Sequence, residues 1–210
     1  MRIFVTGTDT GVGKTFVCAH YMNQWASEHP AYYKPLQTGS PSMAQAEDIL
    51  AIKQLTHHAF DNDVRCGFCL NAPLSPYQAA RAENLTLNPA QILADLQAQI
   101  DAHETLVVEG AGGLLVPITP DYFMLDLISQ SSLPVVLVTR PQLGTVNHTL
   151  LSLRALQSRG VPILGFIMNQ SPASPTQAEA ESVEMIESLS RVKCLLVLPS
   201  IVATGQQSGA

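Results

Sequence analysis

Short apolar, β-branched runs recur along this chain, separated by stretches whose apolar residues return at helical spacing. The runs are Ile3–Val5, Ala31–Tyr33, Leu106–Val108, Pro134–Val138, Ile163–Met168 and Leu195–Leu198. Several are apolar on consecutive residues, as strands covered on both faces are. Helices are predicted near 14–26, 43–56, 89–102, 122–131, 146–158 and 175–189. Asn88-Pro89 reads as an N-cap with proline at the first helical position, and Gly160 as a helix stop. Strands alternating with helices predict an α/β fold, a P-loop NTPase-like, doubly wound, mostly parallel sheet with helices on both faces. No internal repeat or linker divides the chain, so residues 1–210 read as one domain. The small polar tail, Ala203 to Ala210, is expected to fray.

In such a sheet, ligands bind at the carboxyl ends of the strands. The first strand end carries the strongest signal, Gly7-Thr8-Asp9-Thr10-Gly11-Val12-Gly13-Lys14-Thr15. Strand, glycine loop, Lys-Thr and helix together make a phosphate-binding loop, whose inward N–H groups and helix dipole hold a polyphosphate. Lys14 would reach the outer phosphates, and the Thr15 hydroxyl would ligate Mg2+. Gly7 and Gly13 enclose five residues where four are common, and Thr8 stands where glycine is usual. The other predicted strand ends run into Lys34–Gly39, Glu109–Gly113, Thr139–Thr145, Asn169-Gln170 and Pro199-Ser200, each with polar groups, glycine or both.

Composition narrows the partners. The formal net charge is −6, from 11 basic against 17 acidic residues, with no basic block. That argues against nucleic acid as a partner. No apolar run approaches the ~20 residues of a membrane span, and no leader pattern precedes the first strand. A cytoplasmic protein is expected. Cys66-Gly-Phe-Cys69 lacks the second pair a zinc site needs and stands before a turn-rich stretch, so its thiols read as structural or incidental.

Glu109 closes an apolar run and opens Glu-Gly-Ala-Gly-Gly, the point at which a nucleotide enzyme places a Mg2+ carboxylate. Gly110 to Gly113 let backbone N–H groups approach an anion. Position leaves Lys34 open between an exposed lysine and a second cation beside the phosphates. Asp48 reads either as a helix-start acid or as a further metal carboxylate. Asn147, at a predicted helix start, could meet an anion; His148, Tyr32, Tyr33 and Trp25 read as structural.

Together, Val5–Thr15, Tyr33-Lys34-Pro35 with Thr38-Gly39, Val108–Gly113 and Leu143–His148 resemble the dethiobiotin synthase family, from Phe4 to about Pro199. The resemblance implies an ATP- and Mg2+-dependent cyclo-ligase of biotin biosynthesis. Its substrates would be 7,8-diaminopelargonate, CO2 (as bicarbonate) and ATP, joined through a carbamate and a carbamic–phosphoric anhydride. It implies Lys14 and Lys34 as the catalytic cations, and Thr15, Asp48 and Glu109 around Mg2+. ATP contacts would come from Thr10, Gly11, Val12, Gly13 and Phe16, from Gly110, Ala111 and Gly112, and, around the base, from Asn169, Gln170, Pro199, Ser200 and Ile201. Gln170 stands where some relatives carry an acid. Thr38 and Gly113 would meet the diamine or its carbamate. The family acts as a homodimer, so Leu143, Gly144, Thr145 and Asn147 of a partner subunit would receive the substrate carboxylate.

Two other readings remain. A P-loop amidotransferase would need a glutamine-hydrolysing domain, for which the chain has no room. A partitioning-type ATP switch typically carries a lysine early in the loop, and Thr8 to Gly13 contain none.

Overall fold

A computed structural model describes residues 1–60, 63–171 and 176–199, with side chains at all of these except 170 and 171. Seven strands form one sheet in the order β3-β2-β4-β1-β7-β8-β9. They are β1 (Arg2–Gly7), β2 (Ala31–Thr38), β3 (Val64–Leu70), β4 (Leu106–Gly113), β7 (Val135–Thr139), β8 (Ile163–Ser171) and β9 (Cys194–Pro199). Every neighbouring pair in it is parallel. A small antiparallel ribbon, β5 (Pro117–Thr119) with β6 (Tyr122–Phe123), lies apart.

The helices are α1 (Lys14–Gln24), α2 (Glu47–Leu55), α3 (Pro76–Ala82), α4 (Pro89–Ala102), α5 (Met124–Ser131), α6 (Thr145–Ser158) and α7 (Gln177–Ser190). α1 and α2 bury Val17, Met22, Ile49 and Ile52 on one face, against Val5, Val107, Val136 and Ile167. α3, α4 and α5 cover the other face, where Leu96, Ile100, Leu127 and Ile128 meet Phe4, Val108 and Val135. α6 and α7 join around Leu153, Ile186, Leu137 and Phe166. The continuous apolar runs thus arise because both sheet faces are covered. The start of α4 is as predicted: the Asn88 side chain accepts from Ala90 N at 3.0 Å, and Pro89 follows. Gly160, at φ 65°, stands beyond α6.

The structure adds to or corrects the expected elements at three points. β3 was hidden because Arg65, Cys66, Gly67 and Cys69 interrupt its apolar pattern; as an edge strand it needs no continuous apolar run. The turn expected around Pro73 to Pro76 leads into α3, with Pro76 at its first turn. The second strand also runs on past Tyr33 to Thr38, so Lys34 lies inside β2 and not at its end.

That extension conceals a slip. Tyr33 and Leu36, three residues apart, share one core, while Tyr32 lies in the other. Its neighbour behaves alike, with Val64 and Cys66 on one side and Phe68 and Leu70 on the other. Lys34 pairs with Cys66 and Leu36 with Phe68, so the strands change face together at Pro35 and Gly67. Pro35 donates no ladder hydrogen bond. Gly67 is required, because a Cβ there would meet Pro35 O and Tyr33 Oη at 2.6 Å. The slip sends Lys34 and Gln37 to one side. It also brings the Cys66 and Cys69 sulfurs within 3.5 Å, which strict alternation would forbid.

Candidate active site

The phosphate loop joins β1 to α1 at the centre of the sheet. Gly11 (φ 73°) and Gly13 (φ 87°) adopt left-handed backbone there. A Cβ at Gly7 would meet Val12 Cγ2 at 2.7 Å and Asp9 O at 3.1 Å, so the loop closes over a position that only glycine fits. Val12 is fully buried and anchors the loop by its side chain. Asn169, on β8, donates to Val12 O at 2.9 Å and braces the loop from behind. Lys14 is folded back, its Nζ donating to Asp9 O at 3.0 Å. Burial lowers its pKa, against the pull of Glu109.

Beside the loop lies a tight polar cluster. Thr15 Oγ1 donates to Asp48 Oδ1 at 2.9 Å and to Glu109 Oε1 at 3.0 Å. Lys34 Nζ lies 2.6 Å from Asp48 Oδ2 and 2.8 Å from Glu109 Oε1. Tyr32 donates its hydroxyl to Glu109 Oε2 at 2.8 Å. Four elements meet here: α1 carries Thr15, β2 Tyr32 and Lys34, α2 Asp48, and β4 Glu109. The sheet order explains it, because β4 lies between β1 and β2 and so puts Glu109 between the loop and Lys34.

Burial opposes the charge on Lys34, but the Glu109 and Asp48 carboxylates outweigh it and raise the pKa, so the group stays an ammonium. Burial likewise pushes Asp48 up, and the Lys34 ammonium, with the Thr15 hydrogen bond, brings the net shift below the usual carboxylate value. Among the described residues, no group of three or more His, Cys, Asp and Glu side chains is placed to hold a metal. Two carboxylates and a hydroxyl are nevertheless the hard-oxygen set that Mg2+ accepts when phosphates and water complete its shell. The Lys34 ammonium already marks their junction as a place for positive charge.

The cluster forms one wall of a cleft of about 630 Å³. Thr10, Gly11, Gly13, Lys14 and Thr15 line it from the loop, Lys34 and Thr38 from β2, Asp48 from α2, and Glu109, Ala111 and Gly112 from β4. Val12, Phe16, Gly110 and Asn169 do not line it: Val12 and Asn169 support the loop, Gly110 is buried against Phe4 and Met124, and Phe16 sits half-buried in the first turn of α1. Gly113 lines a second cleft of about 410 Å³, whose wall includes Leu115, His148 and Leu151. Leu143 and Thr145 border a third, small hollow with Asp9 and Arg140. Thr145 turns its hydroxyl inward, 3.0 Å from Thr139 Oγ1, whereas Leu143 and Asn147 are exposed and Gly144 is the left-handed N-cap of α6. Pro199 ends β9, exposed. The Gln170 side chain, Ser200 and Ile201 lie outside the described residues.

Tyr32 is core, as the sequence suggests; its hydroxyl bond to Glu109 was missed, although it lies two residues before Lys34 and strand alternation puts both on one side. Sequence reading also missed several cleft residues. Gln37 needed the slip at Pro35. Pro73 to Pro76 reach the cleft only because β3 is a strand of the sheet.

A phosphate loop at the central strand, an acid within the adjacent one and helices on both faces define an α/β P-loop nucleotide-binding protein. The AAA_26 family model, an AAA domain, matches residues 1–208. Solved structures with this fold include the cell division ATPase MinD of Pyrococcus furiosus, at TM-score 0.62 and 17% identity, over 95% of this chain and 83% of that one. A ParA family ATPase from Chlorobium tepidum aligns at TM-score 0.56 and 14% identity, over 94% and 83%. Such identities establish the fold alone.

Curated relatives are more specific. The chain is 36% identical over 200 residues to the ATP-dependent dethiobiotin synthetase BioD of Bacillus subtilis, covering 94% of this chain and 87% of that protein. It is 44% identical over 174 residues to BioD of Lawsonia intracellularis, covering 82% and 77%. The chain belongs to the ATP-dependent dethiobiotin synthetase family, and with it to the ligases of biotin biosynthesis.

Proposed function

We propose that the protein closes the ureido ring of dethiobiotin from 7,8-diaminopelargonate, CO2 and ATP. The observation that carries this reading is Lys34, a buried ammonium held at the phosphate loop by two carboxylates and opening onto the same cleft. One amine of the diamine takes up CO2 and loses a proton, giving a carbamate. A carbamate oxygen takes the γ-phosphoryl group and ADP departs. The second amine then attacks the carbonyl carbon of the mixed anhydride, phosphate leaves, and the ring closes. Phosphorylation turns a poor leaving oxygen into a good one; positioning and fixed charge supply the rest.

Lys14, at the start of α1, grips the transferring phosphoryl group together with the loop N–H groups. Lys34 faces the carbamate and the γ-phosphate. As a group held in its ammonium form, it neutralises charge and does not act as a base. Thr15, Asp48 and Glu109 would hold Mg2+. Bound there, the ion supplies charge neutralisation at the phosphates. Tyr32 keeps Glu109 in place. Thr38 and Gly113 would border the diamine, and Asn169 and Pro199 would frame the base.

The reading includes a homodimer in which the partner's Gly144, Thr145 and Asn147 receive the substrate carboxylate. Supporting this are a helix start at a glycine N-cap and the exposed apolar side chains of Leu143, Leu115 and Leu151 around the neighbouring hollows. A cytoplasmic location also belongs to the reading; among the described residues, no helix is long and apolar enough to cross a membrane.

The test is phosphate release with diamine, bicarbonate, ATP and Mg2+, with dethiobiotin scored by mass. One phosphate per dethiobiotin is expected. ATP hydrolysis indifferent to the diamine would point to an ATP switch instead.

A further inference from the structure

Among the described residues of the cleft wall, Gln37 is the one whose chemistry the reaction leaves unused while its burial demands a partner. It is only 6% exposed. Its Nε2 donates to Thr38 O at 2.8 Å, which fixes the carboxamide: exchanging the two ends would set oxygen against oxygen. Its Oε1 is then buried with no hydrogen-bond partner among the described residues. A buried acceptor left unmade is costly, and such orphans are rare without a reason. Gln37 lines the main cleft, on the side of β2 that carries Lys34. Thr38, its next neighbour, lines the cleft as well.

We propose that the Gln37 carboxamide oxygen accepts an N–H from one amine of the diamine and so selects and orients a nitrogen beside Lys34. The proposal rests on the diamine reading above. An oxygen acceptor with no donor of its own suits an amine: it attracts N–H and gives nothing to a carboxylate or phosphate. The contact also discriminates, because a substrate lacking that N–H would leave the buried oxygen unpaired again. The Nε2 bond to Thr38 O means the orientation exists before the substrate arrives, so little ordering is needed on binding.

The experiment is a cycle by calorimetry with Gln37→Met, whose side chain is of similar size and carries no amide. The titrants are 7,8-diaminopelargonate and its two monoamine analogues, lacking the 7- or the 8-amine. Gln37→Met is expected to weaken diamine binding ~10- to 100-fold, the usual consequence of losing a hydrogen bond to a charged donor. It leaves ATP affinity within ~3-fold. One monoamine should bind equally to both proteins, which identifies the amine that meets Gln37. Equal weakening of all three ligands would mean a structural role and overturn the proposal, as would unchanged diamine affinity, which would leave the oxygen to an ordered water. Gln37→Leu repeats the cycle should Gln37→Met fail to fold. If the wild type itself neither binds the diamine nor forms dethiobiotin, the functional reading has failed. If it does both and Gln37→Met binds normally, only this proposal has.

Discussion

Replacing Lys34 with alanine perturbs two things at once, and the structure separates them. The Lys34 side chain is 5% exposed; Glu109 beside it is 2% exposed, and Asp48 is 32% exposed. Removing one member of a buried ion pair leaves an uncompensated charge and costs ~3–5 kcal/mol. Water reaches the Asp48 end and takes over part of that partner's loss, so the lower figure of ~3 kcal/mol applies. In a chain of 210 residues, each kcal/mol moves Tm by ~2–4 °C, so Lys34→Ala should melt ~6–12 °C below the wild type without nucleotide. Added Mg2+ with ATP should recover part of that difference, because a cation again faces the carboxylates. Turnover is the second consequence. Removing a preorganised cation from the transferring phosphoryl group lowers kcat by ~100- to 1,000-fold. ATP affinity stays within ~3-fold, since Lys14 and the loop remain. Scanning calorimetry gives the first number, dethiobiotin formation the second and ATP titration the third. A variant melting within ~2 °C of the wild type and turning over within ~10-fold of it would refute both the buried pair and the role in transfer.

Tyr32→Phe removes the donor to Glu109 Oε2 while keeping the ring; an unpaired buried acceptor costs ~1–3 kcal/mol, seen as a lower midpoint in urea titration. Gly7→Ala forces the loop open against Val12 Cγ2 and Asp9 O, so nucleotide affinity should fall by at least ~10-fold in calorimetry; normal affinity would mean the loop relaxes freely. For Asp48, the folded pKa lies below the usual 3.8, so the folded state binds fewer protons than the unfolded one. Its contribution is therefore full above that value and is lost as pH falls through the folded pKa. The gap in unfolding free energy between wild type and Asp48→Asn should be widest near neutrality and close on acidification below 3.8. A gap constant down to strongly acid pH would remove the Lys34 pairing as its cause.

What could be read from the chain alone was whatever depends on neighbours in sequence. The buried strands announced themselves by consecutive apolar residues, the start of α4 by Asn88-Pro89, and the phosphate loop by glycines before Lys14-Thr15. Those signals are local because hydrogen bonding of a loop, a cap or a strand is decided within a few residues. The meeting of Thr15, Lys34, Asp48 and Glu109 was expected only through the family resemblance, and no neighbouring residues signal it; that of Tyr32 with Glu109 was not expected at all. Both follow from β4 entering between β1 and β2, a choice made by packing two covered faces across the whole chain. β3 was illegible for the same reason: an edge strand with charged and thiol side chains owes its form to pairing with β2 and not to its own pattern. The shared slip at Pro35 and Gly67 decided which side Gln37 and Cys69 face, because a one-residue shift in a period-two element moves every later side chain across the sheet.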